Sequence, residues 1–285
     1  MAQRIVVTGA AGQAGRAVVT DLREHGYDVL ATDTVVSGAD RGEGMLKADL
    51  TDYGQAVEVL SEPGAGAVVH LANIPAPGLS TPAVTFNANL AMNFNVFQAA
   101  AALKLSRVVW ASSETTLGLP FDTPPRYAPV DEDHYPVPTS TYALSKVASE
   151  TIAGHIAEWS GIPFVALRFS NIMAPEDYSW FREFQDDPHA RKWNLWGYID
   201  QRDVALSCRL ALEADPSKIK GNPAFIIAAA DTVMNRPSAE LLAEVFPGVR
   251  LTRDVGESGT LLAIDRAREV LGFHPEHSWR NHVTV

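Results

Sequence analysis

The stretch Gln3-Arg4-Ile5-Val6-Val7-Thr8-Gly9-Ala10-Ala11-Gly12-Gln13-Ala14-Gly15 decides the fold. Residues 3–8 form a short apolar run that reads as a buried strand, and the run stops at a glycine. Residues 12–25 then place Ala14, Ala17, Val18 and Leu22 on one helical face, and Gly26 fits the helix C-terminus. Residues 28–33 read as the second strand. Glycine has a stated use at each position: Gly9 allows a tight turn, Gly12 lets backbone approach a pyrophosphate, and Gly15 permits close packing of helix on strand. The helix start would offer free N–H groups and a positive dipole end to phosphates. Asp33, closing the second strand, is placed to accept from both hydroxyls of an adenosine ribose and to repel a 2′-phosphate. These residues predict a dinucleotide site for NAD rather than NADP, with Gly9, Ala11, Gly12, Gln13, Ala14, Gly15 and Asp33 as contacts. Asp49 and Leu50 follow another short strand, and Asp49 reads either as an adenine contact or as a surface turn residue.

The alternation continues outward. A helix closes at 57–60, a strand covers 67–71, and a long helix spans 82–103. A strand at 107–112, a helix at 139–159 and a strand at 163–168 follow. The strands are continuous apolar runs, as expected when helices cover both faces of a parallel sheet. After Asn171 the pattern changes. Residues 174–197 are rich in tryptophan, proline and charge, 203–213 return to a helical pattern, and 224–229 to a strand. The expected fold class is α/β: a Rossmann-type doubly wound parallel sheet over 1–170, with 198–230 returning to it, and a small substrate-binding lobe from 171–197 and 231–285. The six prolines of residues 120–138 mark an ordered surface loop.

Bulk composition excludes several classes. The 285 residues are 46% hydrophobic and 20% charged, an ordinary globular balance. The longest candidate apolar stretch, 225–230, is far short of the roughly 20 residues of a membrane span. Met1-Ala2-Gln3-Arg4 runs straight into apolar residues without a signal-like h-region, so no secretory leader is expected. One cysteine, Cys208, permits no internal disulfide and suits a cytoplasmic location. The net charge of −11 and the lack of a Lys/Arg run speak against nucleic acid as a partner. No metal site is expected.

In order along the chain, the motifs resemble those of the extended short-chain dehydrogenases/reductases, also called NAD-dependent sugar epimerases/dehydratases. Residues 8–15 resemble that family's phosphate loop. His70-Leu71-Ala72 resembles its fourth-strand motif, with Asn73 where a small residue is common. Asn89 falls at its long-helix asparagine, and Ala111-Ser112-Ser113 with Gly118 at its active-site strand end. Tyr142-Ala143-Leu144-Ser145-Lys146 matches its YxxxK signature, and Leu167-Arg168-Phe169-Ser170-Asn171 its LRxxN segment. Tyr198-Ile199-Asp200 with Asp203, and Leu271-Gly272-Phe273-His274-Pro275, resemble its later motifs.

The resemblance implies that Ser113, Tyr142 and Lys146 are catalytic, that Leu71, Ala72, Asn89, Tyr142 and Lys146 touch the cofactor, and that a C–OH group is oxidised or reduced. Tyr142 and Lys146 lie four apart, hence on one helical face. A free tyrosine titrates at about 10, and a neighbouring ammonium together with the positive nicotinamide is expected to lower that value. Asn89 and Asn171 read equally well as packing or capping hydrogen bonds. Relatives pair through the helices corresponding to 82–103 and 139–159, so a homodimer is expected.

Departures from the family pattern bear on the substrate. The paired acids of the family's dehydratases are here Glu114-Thr115, which argues against dehydration. Where nucleotide-sugar epimerases often carry an arginine, this chain has Trp196. Trp180, Arg182 and Trp196 lie in a tryptophan-rich segment suited to stacking on a sugar and clamping a carboxylate, or to packing a lobe on the sheet. With Asn73, Ser113 and Asn171, they are the expected substrate contacts. That segment and residues 112–118 are also similar to the family's uronate dehydrogenases. The readings open at this stage are a dehydrogenase or epimerase of a small sugar or sugar acid, a nucleotide-sugar 4-epimerase, and a non-enzymatic NAD(P)-sensing regulator.

Overall fold

A computed structural model describes residues 3–282; residues 1–2 and 283–285, the outer limits of the two expected units, lie outside the described residues. The first strand β1 (Arg4–Thr8) runs into α1 (Gln13–Glu24), β2 (Asp28–Asp33), the short α2 (Gly38–Gly42) and β3 (Leu46–Lys47). Then come α3 (Tyr53–Leu60), β4 (Ala65–His70), α4 (Pro82–Leu103), β5 (Arg107–Ser113), β6 (Tyr127–Ala128) and α5 (Thr141–Ser160). The chain continues through β7 (Phe164–Phe169), β8 (Ile172–Met173), β9 (Ile199–Asp200), α6 (Gln201–Glu213) and β10 (Ala224–Ile227). It ends with α7 (Ser238–Val245), β11 (Arg250–Leu251) and α8 (Asp265–Leu271).

Seven strands form one sheet in the order β10-β7-β5-β4-β1-β2-β3, and every pairing in it is parallel. Strand residues alternate between its two faces. Ile5, Val7, Val69 and Val109 pack with Val18 and Leu22 of α1 and Val204 and Cys208 of α6. Val6, Val68, Val108 and Trp110 pack on the other face with Val96 and Phe97 of α4 and Ile156 of α5. The strand order reverses between β1 and β4, which opens a crevice at the carboxyl ends of the strands, the usual ligand position in such sheets. The outer faces of α4 and α5, which the resemblance assigns to pairing, expose Phe94, Leu144 and Trp159.

A third apolar cluster builds the lobe from Tyr178, Phe181, Trp196, Tyr198, Phe246 and Trp279 among others. Two details differ from the sequence reading. Ala267, Leu271 and Phe273, expected in the lobe, pack in the α1/α6 face of the sheet. The proline-rich loop is only partly a surface: Leu119, Phe121, Ala128 and Val130 are buried, and β6 pairs with β11. Its apolar residues, spaced between the prolines, tie the loop to the lobe. No helix among the described residues is long and apolar enough to cross a membrane.

Candidate active site

The crevice is a cleft of about 1270 Å³ that runs from Asp33 past the glycine turn to Asn171. At its first end, Gly9 has φ +68°, and a Cβ there would lie 2.6 Å from the backbone nitrogen of Ala72. Conformation and space both demand glycine. A Cβ on Gly15 would lie 2.1 Å from the Gly9 carbonyl oxygen, so α1 can start against the turn only if residue 15 is glycine. Asp33 is held at the rim by backbone donors: its Oδ2 accepts from Ala11 N at 3.0 Å and its Oδ1 from Val35 N at 3.1 Å. Ala11, Gly12, Gln13, Ala14, Asp49 and Leu50 also line this end, as do Leu71 and Ala72 opposite.

Asn73 lines the middle of the cleft. Its side-chain nitrogen and oxygen are both buried without a hydrogen-bond partner among the described residues. A buried, unpaired amide is costly, and one facing a cleft is suited to pairing with a ligand. Asn171 lines the cleft as well, its Nδ2 directed at the Met173 sulfur at 3.5 Å.

Ser113, Tyr142 and Lys146 converge at this end. β5 delivers Ser113, and its Oγ accepts from Thr115 N at 3.2 Å and Thr115 Oγ1 at 3.0 Å. Ser112 is committed elsewhere: its Oγ donates to Glu150 Oε1 at 2.6 Å. Ser140 caps α5 by accepting from Ala143 N at 3.1 Å, which fixes the turn that carries Tyr142. The Lys146 Nζ donates to the Ala111 carbonyl at 2.7 Å and lies 5.6 Å from the Tyr142 ring centre. Burial pushes the Tyr142 phenol up to about 12, opposed by its hydrogen bond with Ser113 and reinforced by the Glu114 charge. Burial also pulls Lys146 down to about 7, with Glu150 opposing. Loss of hydration dominates both residues, so of the two charges expected to lower the Tyr142 value, the ammonium and the nicotinamide, the ammonium alone does not offset burial.

A buried hydrogen-bond chain links the two ends. Ala72 N donates to Thr8 Oγ1 at 3.3 Å, and Thr8 Oγ1 lies 2.7 Å from His70 Nδ1. His70 Nε2 lies 2.9 Å from Asn93 Oδ1, Asn93 Nδ2 donates to Ser149 Oγ at 2.7 Å, and Ser149 Oγ donates to the Ser145 carbonyl on α5 at 2.7 Å. Burial and the Lys146 charge push His70 down to about 3, so the ring is neutral and can donate on one side and accept on the other.

Four expected contacts lie elsewhere. Asn89 does not line the cleft; its Oδ1 accepts from Ile74 N at 2.8 Å and its Nδ2 donates to Ile74 O at 3.1 Å, which holds the backbone beside Asn73. Trp196 is fully buried in the lobe core, and its Nε1 donates to Pro188 O at 2.8 Å. Trp180 is 58% exposed outside the cleft, and Arg182 is exposed and also outside it. Of the three tryptophans in that segment, Trp193 is the one on the cleft wall, with the Arg191 guanidinium 5.1 Å from its ring centre. Spacing alone could not select it. The left-handed backbone at Leu195 and Trp196, φ +55° and +57°, turns Trp196 into the core.

Glu114 also lines the cleft, 3% exposed, where its Oε2 accepts from Ser170 Oγ at 2.6 Å and its Oε1 from Asn194 Nδ2 at 3.2 Å. Among the described residues lining the cleft, the cationic side chains are Arg16, at the Asp33 end, and Lys146.

The profile of the NAD dependent epimerase/dehydratase family matches residues 5–216. A UDP-glucose 4-epimerase of Lacticaseibacillus casei is 26% identical over 96% of this chain and 92% of its own. An L-arabinose 1-dehydrogenase (NAD(P)(+)) of Haloferax volcanii is 30% identical over 74% of this chain and 83% of its own. A short-chain dehydrogenase/reductase superfamily protein from Agrobacterium tumefaciens, solved with bound NAD, superposes with a TM-score of 0.74 at 24% identity, covering 98% of this chain and 94% of that one.

Burial raises the Glu114 carboxyl from its ordinary 4.5 to about 7, against hydrogen bonds from Ser170 and Asn194 and the Arg191 charge. Between those values the folded protein binds a proton that the unfolded chain has released, so this group's contribution to stability falls as pH rises from 4.5 to 7. Urea denaturation of the wild type and Glu114→Gln across that window should show a shallower fall in the variant. Equal slopes would contradict the assignment.

Proposed function

The chain belongs to the NAD-dependent epimerase/dehydratase family, and from that premise we propose that it oxidises a C–OH group of a small, uncharged sugar. The observation that carries this reading is the convergence of Ser113, Tyr142 and Lys146 on the same cleft as the glycine turn and Asp33.

The residues fit NAD. Three bare glycine positions, a ribose-directed carboxylate and the unpaired amide of Asn73 face one continuous cleft. The backbone at Gly12 and the start of α1 would hold the pyrophosphate, Asp33 the adenosine ribose, and Lys146 the ribose nearest the reacting end. When bound, NAD supplies the carbon that takes the hydride and a positive ring charge. Ser113 would hold the substrate oxygen with its hydroxyl. The Tyr142 phenolate oxygen would take the hydroxyl proton as the C–H bond breaks. A phenol pushed up to about 12 by burial is a poor base at neutral pH, so a positive charge brought beside it is needed to favour its ionised form.

The charge distribution supports a small neutral substrate. Arg182 and Arg191, which could clamp a carboxylate or diphosphate, do not line the cleft, and Glu114 adds an acid to its wall. Similarity to an L-arabinose dehydrogenase points the same way. The second reading, a nucleotide-sugar 4-epimerase, is favoured by similarity to a UDP-glucose 4-epimerase along nearly the whole chain. One screen separates them: reduced-nicotinamide absorbance with free sugars, uronic acids and UDP-sugars, with chromatography of the products. Net NADH from a free sugar is expected. Interconversion of a UDP-sugar without net NADH would overturn the proposal.

With the substrate so found, Tyr142→Phe should lower turnover by roughly 10²–10⁴-fold, the usual worth of a positioned acid/base, while the NAD Kd changes little. Lys146→Ala should weaken both turnover and NAD binding. If Tyr142→Phe retains more than about a third of wild-type turnover, far outside that range, the phenol is not the base.

A further inference from the structure

At the Asp33 end of the cleft stands an ion pair that the proposed reaction does not use. Arg16, the first residue after the last glycine of the turn, donates from Nε to the Ala11 carbonyl at 3.0 Å, and its Nη1 lies 2.9 Å from Asp40 Oδ1. Ala11 is shared by two selective groups, because its N–H donates to Asp33 Oδ2 at 3.0 Å while its carbonyl accepts from Arg16. The guanidinium and the ribose-directed carboxylate thus flank one residue. The field of Asp33 reaches Arg16, and both side chains line the same end of the cleft with Ser37 and Asp40.

Asp40 is built to hold Arg16. The Arg16 side chain is 53% exposed, whereas that of Asp40 is 6% exposed. A capping box at the start of α2 fixes Asp40: Ser37 N and Ser37 Oγ donate to its Oδ2 at 2.9 and 2.6 Å, and its own N–H donates to Ser37 Oγ at 3.2 Å. One carboxylate oxygen is consumed by the cap and the other is aimed at the guanidinium. Arginine is the side chain best suited to a phosphate, through its fork of donors and its permanent charge. Among the described residues lining the cleft, Arg16 is the cation at this end.

We propose that Asp40 is a second determinant of cofactor choice: by engaging Arg16, it withholds from a 2′-phosphate the guanidinium beside the ribose position. A 2′-phosphate then meets Asp33 without a compensating cation. NAD, with a ribose hydroxyl there, has no need of Arg16. The inference rests on the dinucleotide reading of this end of the cleft, and NAD titrations on the same proteins test that reading separately.

Calorimetric titrations of NAD and NADP into the wild type, Asp40→Asn, Arg16→Gln and the double variant test the proposal. The wild type should bind NAD more than about tenfold more tightly than NADP, since a carboxylate in contact with a 2′-phosphate repels it by roughly that factor or more. Asp40→Asn should tighten NADP by about tenfold, the worth of one freed guanidinium–phosphate contact, and leave NAD within about threefold. Adding Arg16→Gln should abolish the gain. Arg16→Gln alone should leave NADP affinity within about twofold, because that guanidinium is already engaged. The proposal is overturned if Asp40→Asn binds NAD normally without tightening NADP, or if the gain survives the loss of Arg16. It is equally overturned if Arg16→Gln alone weakens NADP severalfold, the result that remains decisive should Asp40→Asn disturb α2.

Discussion

The contact between Gly15 and the carbonyl of Gly9 governs the rest of the structure. With no side chain at residue 15, α1 begins directly against the turn that ends β1, and a Cβ would sit 2.1 Å from that oxygen. Close approach of helix to strand exposes backbone to the cleft and brings the Ala11 N–H to Asp33. On the other side, Gly9 allows β4 to approach so closely that its Cβ position falls 2.6 Å from Ala72 N. Two strand ends are thereby locked at the point where the sheet order reverses, and the cleft follows from that lock.

The reacting end depends on burial rather than on ion pairing. Tyr142 and Lys146 are both nearly excluded from water, and both are driven toward their neutral forms, the phenol up to about 12 and the amine down to about 7. In such a setting, any charge brought alongside acts strongly, because little water screens it. The chain from Ala72 through Thr8, His70, Asn93 and Ser149 to the Ser145 carbonyl fixes α5 against the two locked strands. The side-chain carbonyl oxygen of Asn93 makes His70 Nε2 a donor in that chain, and burial with the Lys146 charge keeps the ring neutral.

The sheet was legible in the sequence because its strands are continuous apolar runs punctuated by glycine; the observed bounds of β1, β2, β4, β5 and β7 fall within two residues of those expected. The glycine turn was legible because three glycines at that spacing meet a local requirement, whereas Ser113, Tyr142 and Lys146 were picked out by the resemblance of their motifs to those of the family, and the structure brings the three to one cleft. The substrate wall was not legible. Trp193, Trp196 and Trp180 look alike in sequence, yet one lines the cleft, one, beside the left-handed turn at Leu195 and Trp196, fills the core, and one faces solvent. Asn89 was left open between a cofactor contact and a structural hydrogen bond, and its amide pairs with the backbone of Ile74, because both uses ask for the same amide. The Arg16–Asp40 pair joins residues 24 positions apart through a capping box, and no periodicity announces it.

Titration of NAD into a Gly9→Ala variant, with circular dichroism as a check on folding, tests the central claim most directly. Residue 9 has φ +68° and no room for a Cβ, so the substitution must displace the turn from Ala72. A side chain in the left-handed region costs roughly 1–2 kcal/mol before any clash, so NAD should bind at least about tenfold more weakly in a variant that still folds. A folded Gly9→Ala protein that binds NAD as tightly as the wild type would contradict the account.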